Sequence, residues 1–164
     1  MSYHNIDFVD CDVIMSDRWP QFLTDCTFQN CRFTLEKSLR GFRTTHAKFT
    51  NCDFHFKRAS NWQAHNGERF EDCRFTGRLT GSRFGDYKSK ASRPGQTTPA
   101  FLTNCDFSKL NIDETLFHGI RISESCKFPA WPVIGYIRSN RGEALPDSIK
   151  ALPEAFHDKC CTSV

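Results

Sequence analysis

The chain has no run of about 18 apolar residues, the length that a membrane-spanning helix needs. Its longest apolar stretch, AWPVIGYI at 130–137, is short and broken by Pro132, so no membrane partner is expected. The opening MSYHNIDFVDC lacks the basic start and apolar core of an export signal. No N-x-[ST] acceptor occurs. Without an export signal, the nine cysteines read as reduced thiols of a cytoplasmic protein rather than as disulfides. H-E-x-x-H and G-x-S-x-G are both missing, the six histidines are scattered, and DYKSK and GSRFGD are not phosphate loops. No catalytic residue, metal ligand or cofactor is therefore expected. Charge of one sign is also scarce. A net +3 argues against a strong nucleic-acid binder and against a strongly acidic surface, so nucleic acid is not expected as a partner.

Phenylalanine is abundant, with 16 residues in a chain of 164, a length that suits one domain with a sizeable core. Much of it falls in recurring hexapeptides: FVDCDV, FQNCRF, FTNCDF, FEDCRF, LTNCDF and SESCKF. Their last residues are Val13, Phe33, Phe54, Phe75, Phe107 and Phe128, separated by steps of 20, 21, 21, 32 and 21. The one long step contains GDYKSKASRPGQTTP at 85–99. Inside each hexapeptide the two large residues stand five apart, with cysteine two places before the second. A further large residue recurs about half a unit later at Phe22, Phe42, Trp62, Phe84 and Phe117.

A five-residue period fits neither a 3.6-residue helix nor two-residue strand alternation. It fits a coil with four short sides, each pointing one large residue and a smaller neighbour inward. Four fives make one turn of 20–21 residues. Turns stacked about 4.8 Å apart, like neighbouring strands, would lay each Phe over the Phe of the turn before. One turn cannot bury its apolar side alone, whereas a stack can. Cysteine takes the small inward position, where a compact thiol packs well. Cys11, Cys31, Cys52, Cys73, Cys105 and Cys126 are expected to form an internal ladder beside Phe33, Phe54, Phe75, Phe107 and Phe128. Recurring thiols about 20 residues apart lack the close pairing of zinc sites, and inward thiols are poor redox centres. The Asp or Asn before each cysteine is expected at a corner, bonding the backbone of the turn.

The units CRF, CDF, AKF and CTF resemble those of the pentapeptide-repeat proteins, which read small–polar–Leu/Phe–x–x. The resemblance covers residues 6–128 and implies an all-β solenoid: a right-handed quadrilateral parallel β-helix of about six coils. Two sides match the pattern poorly, TLEKSLRGFRTT and HFKRASNWQAHNGE, and are expected to be distorted or looped out. Glu68 stands at a nominally small inward position. The best-known members of the family resemble a DNA duplex in shape and charge and protect topoisomerases such as gyrase.

The organisation expected is a solenoid over 1–128, interrupted by the loop 85–99, followed by a C-terminal cap and tail over 129–164 with short helical turns. Gly85, Pro94, Gly95 and Pro99 make the insertion a loop. Its Tyr87, Lys88, Lys90 and Arg93 outweigh Asp86 and are the candidate partner-binding residues, because long loops on rigid scaffolds are often functional. Pro146, Asp147 and Ser148 read as a helix start, in a segment that covers the apolar end of the stack or joins a second copy. The tail DKCCTSV has the outline of a prenylation box but not its aliphatic middle. With no catalytic set, the expected role is a protein-binding module that inhibits a toxin or other enzyme, as an immunity protein does. DNA mimicry toward a topoisomerase and general scaffolding are the alternatives.

Overall fold

In the computed structural model, residues 2–15, 21–64, 67–85, 100–113, 115–118 and 120–129 are described. They form a parallel β-solenoid of three sheets. The first sheet stacks β1 (Ser2–His4), β4 (Gln21–Thr24), β7 (Phe42–Thr45), β10 (Gln63–Ala64), β13 (Arg83–Gly85) and β16 (Leu116–His118). The second stacks β2 (Asp7–Val9), β5 (Thr27–Gln29), β8 (Lys48–Thr50), β11 (Arg69–Glu71), β14 (Ala100–Thr103) and β17 (Ile120–Ile122). The third holds the longer β3 (Asp12–Met15), β6 (Arg32–Ser38), β9 (Asp53–Ser60), β12 (Arg74–Thr80) and β15 (Asp106–Asp113). Every pairing is parallel and joins a strand to its counterpart one repeat away, as in Phe8↔Phe28↔Phe49↔Phe70↔Leu102.

That register follows from the repeat. A shift of one residue would turn every inward Phe to solvent. In register, Phe33, Phe54, Phe75, Phe107 and Phe128 stack with centroids 4.7, 4.9, 4.2 and 4.9 Å apart. A second column, Phe8, Phe28, Phe49 and Phe70, stacks at 4.7, 5.0 and 4.8 Å. The two columns meet edge to face, as Phe28 does with Phe33 at 5.2 Å. Offset stacking and edge contacts are the favourable ring geometries. Cys31, Cys52, Cys73, Cys105 and Cys126 are buried alongside, and Cys11, in the first turn, is half-buried. The thiols of Cys31, Cys52, Cys73 and Cys105 each lie near two carbonyls, as Cys52 does near Thr50 at 3.3 Å and Phe28 at 3.5 Å.

The corners use residues that tolerate the left-handed region. Asp10, Asn30, Asn51, Asp72 and Asn104 all have φ between 51° and 55°, where Asn and Asp are the least penalised non-glycine residues. Their side chains also bond across turns. Asn30 donates to Asp10 at 3.1 Å, Asn51 to Asn30 at 2.8 Å and Asn104 to Asp72 at 2.6 Å.

Two expectations change. The sides 34–45 and 55–64 are distorted rather than looped out: β6, β7, β9 and β10 run through them, with one-residue skips in the pairing of β6 with β9 and of β9 with β12. Leu35, Leu39, Phe42, Phe56, Ala59, Trp62 and Ala64 fill that half of the interior, so packing rather than the five-residue motif decides those sides. Phe22 is 40% exposed. Its neighbour Leu23 points in instead, because β4 pairs Leu23 with Tyr3 and Thr44. Glu68 is fully buried, and its carboxylate accepts a 2.7 Å bond from the Thr44 hydroxyl.

Candidate functional site

The outer face of the third sheet is built by the residue between each cysteine and the inward residue after it. Strand register and one isolated bridge place Asp12, Arg32, Asp53, Arg74, Asp106 and Lys127 in a single row along the stack. Their charges alternate at every turn. Arg74 binds Asp53 through Nε at 2.7 Å and Nη2 at 3.2 Å, a two-pronged bond. Arg32 reaches Asp12 at 3.5 Å. These side chains are well exposed, so each pair contributes on the order of 0.2–1 kcal/mol. The alternation also keeps like charges off adjacent strands.

A second outward row contains Ile14, Thr34, His55 and Thr76. His55 Nδ1 lies 3.0 Å from the Thr76 hydroxyl. Between β12 and β15 the register slips: Arg74 pairs with Asp106, but Thr76 pairs with Lys109. The extra residue makes a bulge, a feature that re-aims side chains and is common beside binding sites. At the bulge the Ser108 amide donates to Asp106 Oδ1 at 2.9 Å. Burial works to raise the Asp106 carboxyl, but the Ser108 bonds together with Lys127 and Lys109 lower it on balance. Between the two rows lies a surface cavity of about 330 Å³, lined by Arg32, Asp53, His55, Arg74, Thr76 and Lys109 among others.

Asp53 and Asp106, which follow their cysteines, belong to this charged row, whereas Asp72, which precedes Cys73, is a corner residue. Among the described residues, no three His, Cys, Asp or Glu side chains converge as metal ligands. In the thiol ladder, burial pushes Cys73 up, while hydrogen bonds from the thiols of Cys73 and Cys126 pull Cys52 and Cys105 down. Tyr87, Lys88, Lys90 and Arg93, the whole 86–99 stretch, the segment 130–164 and Cys160 and Cys161 lie outside the described residues. Arg78 pairs with Asp113 at 3.7 Å. The alternating row escaped the sequence reading although its signal is plain there: D, R, D, R, D, K in successive C-x-hydrophobic units.

Among solved structures the chain aligns with those of QnrB1. That protein is described as a plasmid-mediated fluoroquinolone resistance protein. The full-length form matches at 12% identity and a TM-score of 0.25, over 86% of this chain and 94% of that one. Two trypsin-treated variants match at 10% and 16% identity, with TM-scores of 0.36 and 0.29. Each covers 100% of this chain and 98% and 99% of the other. No family model matches, and no curated protein does. The solenoid assignment stands on the chain's own strand pairing and stacked interior, which agree with the pentapeptide-repeat resemblance of its units. The exclusion of nucleic acid as a partner is corrected. It rested on the net charge alone, and a sum of +3 says nothing of how carboxylates and cations are arranged face by face. No helix among the described residues is long and apolar enough to cross a membrane.

Proposed function

We propose that the chain is a non-catalytic protein-binding module. The observation that carries this reading is the surface of the third sheet: rigidly spaced, charged side chains in rows fixed by the strand register, on a core of stacked rings. A rigid frame that holds its polar groups in place loses little freedom on binding, which favours recognition of a shaped partner. The coil itself is proposed to be four-sided with about six turns, with the 85–99 insertion as its partner-binding loop and the segment 129–164 as a cap or a contact with a second copy.

Two partner classes follow. The first is a DNA topoisomerase such as gyrase, the partner implied by the family that the repeat units resemble. In that reading the rod engages the enzyme where duplex DNA lies. The second is a toxin or other enzyme that the module neutralises, favoured by the mixed rather than acidic charge of the described rows. A gyrase supercoiling assay with a fluoroquinolone separates the two. Restored supercoiling at micromolar protein is the result expected of a topoisomerase partner, and no protection ends that reading. For either partner, deleting 86–98 is expected to abolish binding with little change in thermal stability. Unchanged binding would remove the loop from the interface.

A further inference from the structure

The cavity on the third sheet contains more positive charge than its own carboxylates use. Both oxygens of Asp53 are taken by Arg74, and one oxygen of Asp106 is held by the Ser108 amide. Arg32 has a single 3.5 Å contact, to Asp12, leaving most of its guanidinium donors for another acceptor. Lys109 enters the lining because the bulge shifts it opposite Thr76. Arg32 and Lys109, the latter also acting on Asp106, therefore stand at the two ends of the cavity, with the Arg74 fork and the Thr76 hydroxyl between them. Arg32 and Lys109 lie on strands three steps apart, β6 and β15. At about 4.8 Å per step that is roughly 14 Å along the stack.

An extended peptide advances about 3.4 Å per residue and returns side chains to the same face every second residue. Carboxylates at positions i and i+4 thus fall on one face about 14 Å apart. We infer that this cavity binds an extended acidic segment of a protein partner, with two carboxylates four residues apart received by Arg32 and Lys109. Interactions of this kind set orientation and association rate, and they weaken steeply with salt. The inference rests on the protein-binding reading above and adds to it a site and a partner chemistry.

The test uses the full chain and a fluorescent nonapeptide of Gly, Ser and Thr with glutamate at positions 3 and 7, followed by anisotropy at low and at 0.15 M salt. Binding is expected, with a loss of about tenfold or more in Arg32→Glu/Lys109→Glu. The gentler Arg32→Gln/Lys109→Gln is expected to weaken binding less and to keep the wild-type circular dichroism. Lys48→Glu, whose charge faces Glu71 on the second sheet, makes a charge change away from the cavity and is expected to bind as wild type does. A peptide with its glutamates at positions 3 and 4 is expected to bind more weakly. The inference is overturned by an absence of peptide binding, by affinity that is indifferent to Arg32 and Lys109 or to glutamate spacing, or by a single-stranded oligonucleotide that competes with equal dependence on the two cations. The supercoiling and loop-deletion experiments address the broader reading separately, so this site can fail while that reading stands.

Discussion

Phe54 shows most directly how a single residue holds the stack. It is essentially buried, and it touches Phe33, Phe75, Phe49, Phe70, Phe56 and Trp62. Phe54→Ala removes a ring from the middle of a column that cannot collapse without breaking strand register. A loss of about 3–5 kcal/mol is expected in chemical denaturation. Gly77 is constrained differently. Its φ is +94°, and a Cβ there would sit 2.1 Å from the Phe56 carbonyl oxygen. Gly77→Ala is expected to cost at least about 2 kcal/mol, whereas Gly81→Ala, with nothing nearer than 3.7 Å, should be milder; thermal melts of the two variants compare them. Thiol access separates the cysteines. Among the described cysteines, Cys11 is expected to react first under native alkylation and Cys26, Cys52, Cys73 and Cys105 last, as read by peptide mass, because the latter four have no exposed surface.

At the scale of elements, the third sheet differs from its neighbours in length and irregularity. β9 and β12 bend where Arg58 and Gly77 take positive φ and the pairing skips a residue. The bends carry the chain around the half of the interior filled by Phe56, Ala59, Trp62 and Leu79. Outside, the alternating row neutralises itself turn by turn. Asp53→Lys would place three cations on consecutive strands, 32, 53 and 74. A loss of about 1 kcal/mol is expected, shrinking as salt rises. Adding Arg74→Asp restores the opposite pair of 53 with 74 but sets a carboxylate beside Asp106, so little of the loss should return. Denaturation at two ionic strengths measures both effects. An unchanged stability at low salt would show that the row contributes only surface pattern.

For the whole molecule, most contacts join residues about one repeat apart, and each turn supports only its neighbours. Such stacks behave as nearly one-dimensional systems in which stability sums over units and their interfaces. The buried Glu68 tests that picture from inside. Its carboxylate accepts from Thr44, one turn before. Glu68→Ala should leave that hydroxyl without its acceptor and a cavity at the interface, at a cost of about 1–3 kcal/mol. Hydrogen exchange should localise the loosening to β7, β10 and the neighbouring turns, sparing the β2–β5 end. Uniform loosening would argue for one cooperative unit instead.

The 20–21-residue repeat of F-x-x-C-x-F determined the parallel stack, the register and the identity of the corners. A short inward thiol, a large inward ring and an Asn or Asp able to take positive φ are local requirements, written locally. The pattern was silent where the interior is filled by residues of varied size. Leu23 rather than Phe22 turns in, and 34–45 and 55–64 stay paired across their one-residue skips, because neighbouring turns leave space of one particular shape and only the assembled stack defines it. The alternating D, R, D, R, D, K row was present in the sequence, but its meaning required the register that brings residues 20 or more apart into contact. The cavity beside it belongs wholly to the tertiary structure, since a one-residue bulge at Ser108 is what sets Lys109 opposite Thr76.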